Sequence, residues 1–488
     1  MRTVPSIRIR KANEAPVNPK GDYALYWVIA FRRPQWNFSL QRAVEWATEL
    51  KKPLVVFEAL RSGYPWACDR LHQFILDGMA DNAQRFEKSP VLYYPYVEPG
   101  HDEDKGLLAA LAKKACVVIT DDYPAFFIPR MLMAASKKLA VLVEAIDSNG
   151  LLPLRAADKI HPTAYAFRRF LQRQLPTYLS DKPKDNPLKG VKLPPLNALP
   201  NGITTKWPAV SSALLRGEPK ALADIPIDHD VGVVERRGGP READRVMKGF
   251  VEKRLPLYPE NRNHPDEEGA SGLSPYLHFG HISVHEVFHC IAEKEVWSLE
   301  DLSQKATGGR SGWWGMSEAA EAFLDELITW RELGYNMTWQ SDAYDRYESL
   351  PDWALKTLAD HKKDKRPYVY TLDQFETAQT HDDLWNAAQT ELLLEGRIHN
   401  YLRMLWGKKI LEWTASPKDA LEVMMQLNNK YALDGRDPNS YSGIMWVLGR
   451  YDRPWGPERR IFGKVRYMSS QNTARKVRVR EYLEKYKP

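Results

Sequence analysis

Along the first 150 residues, short unbroken apolar runs alternate with stretches whose apolar positions recur every three or four residues. The runs at 23–30, 53–59, 91–96, 116–120 and 139–145 have the length and the β-branched or aromatic content of strands. The stretches at 39–50, 69–88, 104–114 and 124–137 have the period of helices. Strands that are apolar throughout, rather than at alternate positions, are buried on both faces, as in a parallel sheet covered by helices. The pattern therefore predicts an α/β domain, Rossmann-like and doubly wound, with about five strands and right-handed crossovers.

The alternation then lapses. The segment SDKPKDNPLKGVKLPPLNALPNG is rich in Pro, Lys and Asn, residues that fix φ, withhold donors or favour turns, and it reads as an extended connector. Beyond about 226, strand signals nearly vanish and helical periodicity dominates, for example at 317–333, 382–394, 399–413 and 417–427. The expected organisation is a basic flexible arm at 1–20, the α/β domain at 21–180, a linker at 181–225 and an all-α domain at 226–488.

Composition changes this picture little. The 488 residues are 43% hydrophobic and 27% charged, ordinary for a soluble globular protein. No apolar run reaches the eighteen residues of a membrane span, and MRTVPSIRIRKANEAPVNPKGD lacks the apolar core of a secretory signal. Cys68, Cys116 and Cys290 are too few and scattered for a disulfide framework or a CxxC metal site, which fits a reducing, cytoplasmic compartment. A net charge of +6 permits a polyanionic partner without requiring one. Neither GxGxxG after the first strand nor GxxxxGK[ST] occurs, so the usual dinucleotide and P-loop signatures are missing. The unusual figure is sixteen tryptophans, concentrated between Trp297 and Trp455.

Several stretches carry chemistry. In EGRIHNYLRMLWGKKILEW, Trp406 and Trp413 are two helical turns apart, on one face and roughly 10 Å apart along the axis. Trp385 can join them only if a break near Gly396 folds its helix back. Spacing alone favours a packed core stripe and does not by itself decide against an aromatic electron relay. LNNKYALDGRDPNSY is a polar loop ahead of the apolar run GIMWVLG; if it is buried, Asp434 needs a cation, and Arg403 is a candidate. In ASGLSPYLHFGHIS, Ser271 and Ser274 flank a helix start with Pro275 at its first position, an ordinary cap or a cradle for a diphosphate. The HEVFH that follows matches a zinc-protease signature without a third ligand at a recognisable spacing. Glu326 and Trp330 are helical neighbours able to bond and stack on a nucleobase, as are Leu327 and Arg331 in spacing. RRIFGKVRYMSSQNTARKVRVR is a basic run with interleaved aromatics, either a solvated tail or a phosphate-contacting surface.

Taken in order, SGLSPYLHFGHIS, FLDELITWREL, THDDLWNAAQ, RMLWGKKILEW, LNNKYALDGRDPN and RRIFGKVRYM resemble the photolyase/cryptochrome family, and within it the class II cyclobutane pyrimidine dimer photolyases. The resemblance is specific across 258–470. Over 1–220 only the strand–helix alternation matches. It implies FAD folded into a U inside the helical domain, active in its reduced form, and light-driven electron transfer to a flipped dimer in DNA. Carried over to this chain, Tyr258, Ser271, Leu273, Ser274, Arg331, Arg403, Asn428, Asp434 and Asp437 would hold FAD. Trp406, Trp413 and Trp385 would form the electron-transfer triad. Glu326, Trp330, Met404 and Trp446 would line the dimer pocket, and Arg459, Arg460, Lys464 and Arg466 would meet the DNA backbone.

The resemblance implies a monomer with no membrane or protein partner and no metal. Whether an antenna chromophore binds as well, and whether it is a deazaflavin, a folate or another flavin, stays open. Three departures stand out: the first strand reads YALYWVIAFRRPQWNFSL, Asn429 replaces the usual Asp of LNDKY, and Asn400 stands where Gly is common. The rival readings are a flavin-binding blue-light photoreceptor without repair, a flavin-free nucleic-acid-binding protein and a zinc hydrolase.

Overall fold

The computed structural model describes residues 3–487, and the chain divides into two compact units. The first comprises residues 1–157, 174–248 and 273–293, and the second comprises 158–173, 249–272 and 294–488. The chain thus crosses between units several times, whereas the sequence pattern suggests one crossing near the connector.

Six strands form one sheet in the first unit: β1 (Ile9–Lys11), β2 (Tyr23–Val28), β3 (Leu54–Leu60), β4 (Val91–Val97), β5 (Ala115–Asp121) and β6 (Val143–Ile146), ordered β1-β6-β5-β2-β3-β4. All neighbours from β6 to β4 are parallel, and β1 adds an antiparallel edge. The helices α1 (Phe38–Glu49), α2 (Asp69–Phe86), α3 (Leu107–Lys114) and α4 (Ile128–Ser136) connect them. Every residue of β2 is buried, and alternate side chains enter different cores. Tyr23, Leu25 and Trp27 pack with Leu107, Leu111 and Leu132, while Ala24, Tyr26 and Val28 pack with Phe38, Leu40 and Val44 of α1. Period-2 side chains that are apolar on both faces explain why the sequence reads as unbroken apolar runs.

Two expectations are corrected. The arm at 1–20, of which Met1 and Arg2 lie outside the described residues, is largely built into the sheet. β1 pairs with β6, Val4 is buried, and Arg8 is fully buried with its guanidinium on the carbonyls of Asp147 and Leu151 and 3.7 Å from the Asp147 carboxylate. Its basic residues find buried acceptors, which composition does not reveal. The connector is likewise docked: Leu199, Ile203 and Trp207 bury against the sheet's core, and Trp207 Nε1 donates to Glu103 O at 3.0 Å. Apolar residues four apart give this Pro-rich segment enough burial to fix it.

Strand order reverses beside β2, the place where doubly wound sheets open a crevice at their carboxyl ends. Here Asp121, the last residue of β5, closes the turn. Its Oδ2 accepts the backbone N–H groups of Ile29, Ala30 and Phe31 at 2.9, 2.8 and 2.9 Å, and its Oδ1 accepts the Tyr26 hydroxyl at 2.8 Å.

The second unit is helical. Its principal elements are α5 (Arg331–Gln340), α6 (Asp383–Glu395), α7 (Asn400–Trp413), α8 (Pro417–Tyr431) and α9 (Pro438–Val447); α6, α7 and α8 lie close to the periodic stretches, whereas α9 begins inside the stretch read as a polar loop. Side-chain caps start several of them: Asp382 accepts from Trp385 N, Ser416 from Asp419 N, and Asp437 from Asn439 N. One long core contains Trp385, Leu402, Leu405, Trp406, Trp413, Met424, Leu427 and Met445. No helix among the described residues is long and apolar enough to cross a membrane.

Asp121→Ala strands four buried donors and is expected to destabilise the first unit by about 3 kcal/mol or more, read from urea unfolding followed by circular dichroism.

Candidate functional site

The break that the tryptophan spacing requires is present. Gly396 takes φ +66°, its N–H bonds Leu392 O, and it ends α6 so that α7 can run back alongside. The reversal puts Trp385 between the other two indoles. Its ring centroid is 6.5 Å from that of Trp406, with planes 3° apart, and 6.1 Å from that of Trp413 at 69°. All three are buried to 2% exposure or less. Trp385 Nε1 donates to Trp406 O at 3.0 Å, and Trp406 Nε1 donates to Gln389 Oε1 at 2.9 Å, so both ring orientations are fixed. Beyond Trp413 lie Tyr370, at 5.8 Å, and His381, at 4.9 Å. Stacked on His381 at 3.7 Å is Tyr368, which is 47% exposed, so the aromatic series reaches the surface.

On α7, Arg403 Nη2 meets both oxygens of Asp434, at 2.9 and 3.2 Å. The loop that carries Asp434 is buried rather than a surface turn, with Gly435, Arg436, Asp437 and Pro438 all inaccessible. Its polar groups are matched internally. Arg436 donates to the Asn429 and Ala432 carbonyls, Asn429 Oδ1 accepts Arg436 N at 3.0 Å, and Asn428 Nδ2 donates to Ser440 Oγ at 2.7 Å. Asp437 accepts from the Tyr335 hydroxyl at 3.3 Å, and Arg331 donates to that hydroxyl at 2.8 Å. These matched groups contrast with the face of α7 above them. Arg403 Nε and both ring nitrogens of His399, one turn earlier, are buried with no hydrogen-bond partner. Burial, and after it the nearby Arg397 cation, push His399 down to about 4, so its ring is neutral at physiological pH.

Glu326 and Trp330 do not lie on a plain α-helix. Residues Asp325–Trp330 form a π-turn between helices, a wider coil that is common at functional sites. It is pinned by a paired, buried contact: Arg168 Nε and Nη2 meet Asp325 Oδ1 and Oδ2 at 2.7 and 2.9 Å. Glu326 Oε1 accepts from Arg262 Nη2 at 2.5 Å, and the Arg262 guanidinium lies 5.2 Å from the Tyr258 ring centroid. Burial pushes the Tyr258 hydroxyl upward, so it remains protonated. Met404 and Trp446 are half-buried. Arg466 approaches the Trp446 ring at 5.9 Å and the Trp455 ring at 4.7 Å. In the basic run, Arg459, Arg460, Lys464 and Arg466 are exposed while Ile461, Phe462 and Val465 anchor the backbone.

Not every expected residue joins this group. Ser271, whose carbonyl accepts from Arg254, belongs to the helical unit, whereas Leu273 and Ser274 belong to the first. The helix Ser274–His278 has five residues and no side-chain cap. In HEVFH, His285 is buried edge-on to Phe38 and His289 bonds Glu293; no group of three or more metal-ligating side chains occurs among the described residues.

Sequence reasoning missed Arg168, Arg262, Gln389, Tyr370 and His381. Arg262 could have been found, being one helical turn from Tyr258. Arg168 could not, because its partner is far along the chain.

No family model matches the chain. It is 34% identical over 481 residues to a deoxyribodipyrimidine photo-lyase of Methanothermobacter thermautotrophicus, an alignment covering 98% of this chain and 97% of the other. The chain belongs to the photolyase/cryptochrome family. A deoxyribodipyrimidine photo-lyase of Arabidopsis thaliana is 31% identical over 482 residues, 97% of this chain and 91% of that one. A solved bacterial class III photolyase from Agrobacterium tumefaciens matches 97% of this chain and 86% of its own with a TM-score of 0.68. At 16% identity, that likeness concerns the fold. Its photolyase architecture agrees with the expected α/β plus all-α class, with six strands in place of about five.

Removing Arg168 leaves the Asp325 carboxylate buried and uncompensated. Arg168→Met should cost about 3–5 kcal/mol in chemical unfolding, and Arg168→Lys should recover only part because an ammonium cannot make the paired contact.

Proposed function

We propose that this member of the photolyase/cryptochrome family is a light-driven DNA-repair enzyme. With reduced FAD held in the helical unit, it would split cyclobutane pyrimidine dimers in the manner of the class II branch. One observation carries the reading: a buried indole series begins three residues from Arg403, whose guanidinium pairs with Asp434 yet keeps a buried N–H without a partner. A purely structural tryptophan core gives no reason for unmatched donors at its inner end. Relatives of 31–34% identity bear the name deoxyribodipyrimidine photo-lyase, which also supports the reading.

The residues fit a flavin dinucleotide. Arg403 Nε and the neutral His399 ring offer unmatched donors and acceptors on one face of α7, suited to a ligand rich in ring nitrogens and carbonyls. When bound, FAD supplies the light absorption and the electron that opens the cyclobutane ring. Arg403, kept in place by Asp434, contributes positive charge where a reduced ring system is anionic. Asn428 brings a neutral amide. Arg331, Tyr335 and Asp437 brace the loop that carries Asp434. Ser271, with Tyr258 at its flank, would hold the phosphates.

Trp406, Trp385 and Trp413, in that spatial order, would carry electrons inward to restore the reduced cofactor. Glu326, oriented by Arg262, would accept a hydrogen bond from a pyrimidine N–H. Trp330 and Trp446 would stack on a flipped dimer beside Met404, whose weakened pairing lowers the cost of flipping. Arg459, Arg460, Lys464 and Arg466 would neutralise phosphates.

The purified protein should be yellow, and after photoreduction it should restore the absorbance of thymine dimers in an oligonucleotide under blue light. Trp385→Phe should slow photoreduction by an order of magnitude or more while leaving repair by chemically reduced protein near the wild-type rate. A colourless preparation that releases no flavin on denaturation would rule the reading out. Flavin without dimer splitting would favour a photoreceptor.

A further inference from the structure

Lys408 lies in the middle of α7 with no exposed surface. A lysine buried to its ammonium is rare, because the stem ordinarily lets the charge reach water. Its Nζ donates to the carbonyl oxygen of Val447, the last residue of α9, at 2.5 Å, and stands 4.8 Å from the centroid of the Trp446 ring. Two charged groups face it. Asp452, whose Oδ2 is buried without a partner, favours its charge, and Arg466, which also approaches the Trp446 ring, opposes it. The adjacent Lys409 turns away, to Glu412 and the Trp413 ring.

The simplest account is a helix cap, since lysines often bond the last carbonyls of a helix. A cap does not require the ammonium to be sealed from water. Burial pulls Lys408 down to about 7, so the charge is held at a cost to stability, and a methionine of similar length would fill the space without it. The cost falls beside Trp446, an indole that contacts both this cation and Arg466 of the basic surface run. A cation against an indole face fixes the ring and makes its far side less repulsive to negative charge.

We propose that the Lys408 ammonium is an electrostatic positioning residue of the dimer pocket: seated behind Trp446, it orients that ring and stabilises the negative charge the dimer carries while its cyclobutane ring opens. The inference rests on the reading of Trp446 as a wall of that pocket. One electron would enter the dimer from the reduced flavin, the two carbon–carbon bonds joining the pyrimidines would break, and an electron would return to the oxidised flavin, leaving two intact pyrimidines and no net redox change. Lys408 gains and loses no proton in the cycle.

The test is the splitting yield per absorbed photon, measured from pH 6 to 9 on chemically reduced protein saturated with a thymine-dimer oligonucleotide. Lys408 is charged below its folded pKa, so the wild-type yield is highest at pH 6 and falls, with a midpoint near pH 7. The fall is at least about threefold, given the strength of a charge acting at this range in a protein interior. Lys408→Met gives a low yield without the step, Lys408→Arg gives a high yield without it, and both keep lesion affinity close to wild type. Melting curves supply a readout that needs no flavin. The folded pKa lies below the ordinary lysine value, so the cost of the buried charge is full below about pH 7 and fades as pH rises towards that value. Lys408→Met therefore raises Tm more at pH 6 than at pH 9. A wild-type yield that is level across the range, or a step that Lys408→Met shares, overturns this inference alone. A wild type that splits no dimer at any pH overturns the parent reading and this one with it.

Discussion

A single left-handed glycine sets the register of the helical unit. Gly396, at φ +66°, reverses the chain between α6 and α7, and a side chain at that φ would cost on the order of 1 kcal/mol. The reversal lays Trp385 against Trp406, which sit nearly as far before the turn as after it, with ring planes 3° apart. The same residue's carbonyl accepts the N–H of Leu433 at 2.9 Å. One turn therefore aligns both the indole series and the polar loop of Asp434, and the distance between Arg403 and its carboxylate follows from it.

The second constraint is that buried polar groups must be matched. The 428–437 loop meets it almost entirely from within, and the Asn429 departure is part of the solution. An amide at 429 accepts Arg436 N while the Arg436 guanidinium bonds the backbone carbonyls of Asn429 and Ala432. A neutral partner there leaves Asp434 as the loop's acid for Arg403. Asn400, the other departure in this region, opens α7 from an exposed position and disturbs none of these bonds.

How much of this was legible in the sequence depends on whether the deciding contact is local. The β2–β6 sheet was readable because residues such as Val55, Val117 and Val118 are buried on both faces and leave an unbroken apolar run. The helices α6 to α8 were readable from period, whereas α9 was hidden behind the polar loop that its first turn continues. The break at Gly396 was readable because only glycine adopts that turn cheaply. The π-turn at Asp325–Trp330 was not. It is held by Arg168, and a single chain carries no signal joining residues so far apart. The docking of the amino-terminal segment and of Trp207 was illegible for the same reason: basic and Pro-rich composition suggests mobility until a distant acceptor or core is supplied. Arg403 was legible only as one candidate partner for Asp434, because spacing does not fix which cation reaches a buried carboxylate.

A tryptophan-rich core and an electron relay are not competing descriptions of the same rings, since close packing and short ring-to-ring distance are one geometry. What separates them is the two ends of the series. A core stripe would finish at both ends among matched, water-excluded groups. Here the outer end continues through Trp413 and His381 to Tyr368 at the surface. The inner end adjoins a face of α7 where Arg403 Nε and His399 lack partners. Burying such atoms unmatched lowers stability by roughly 1–3 kcal/mol each. A polar ligand filling that face would relieve the cost, and the outer end of the series is open to solvent.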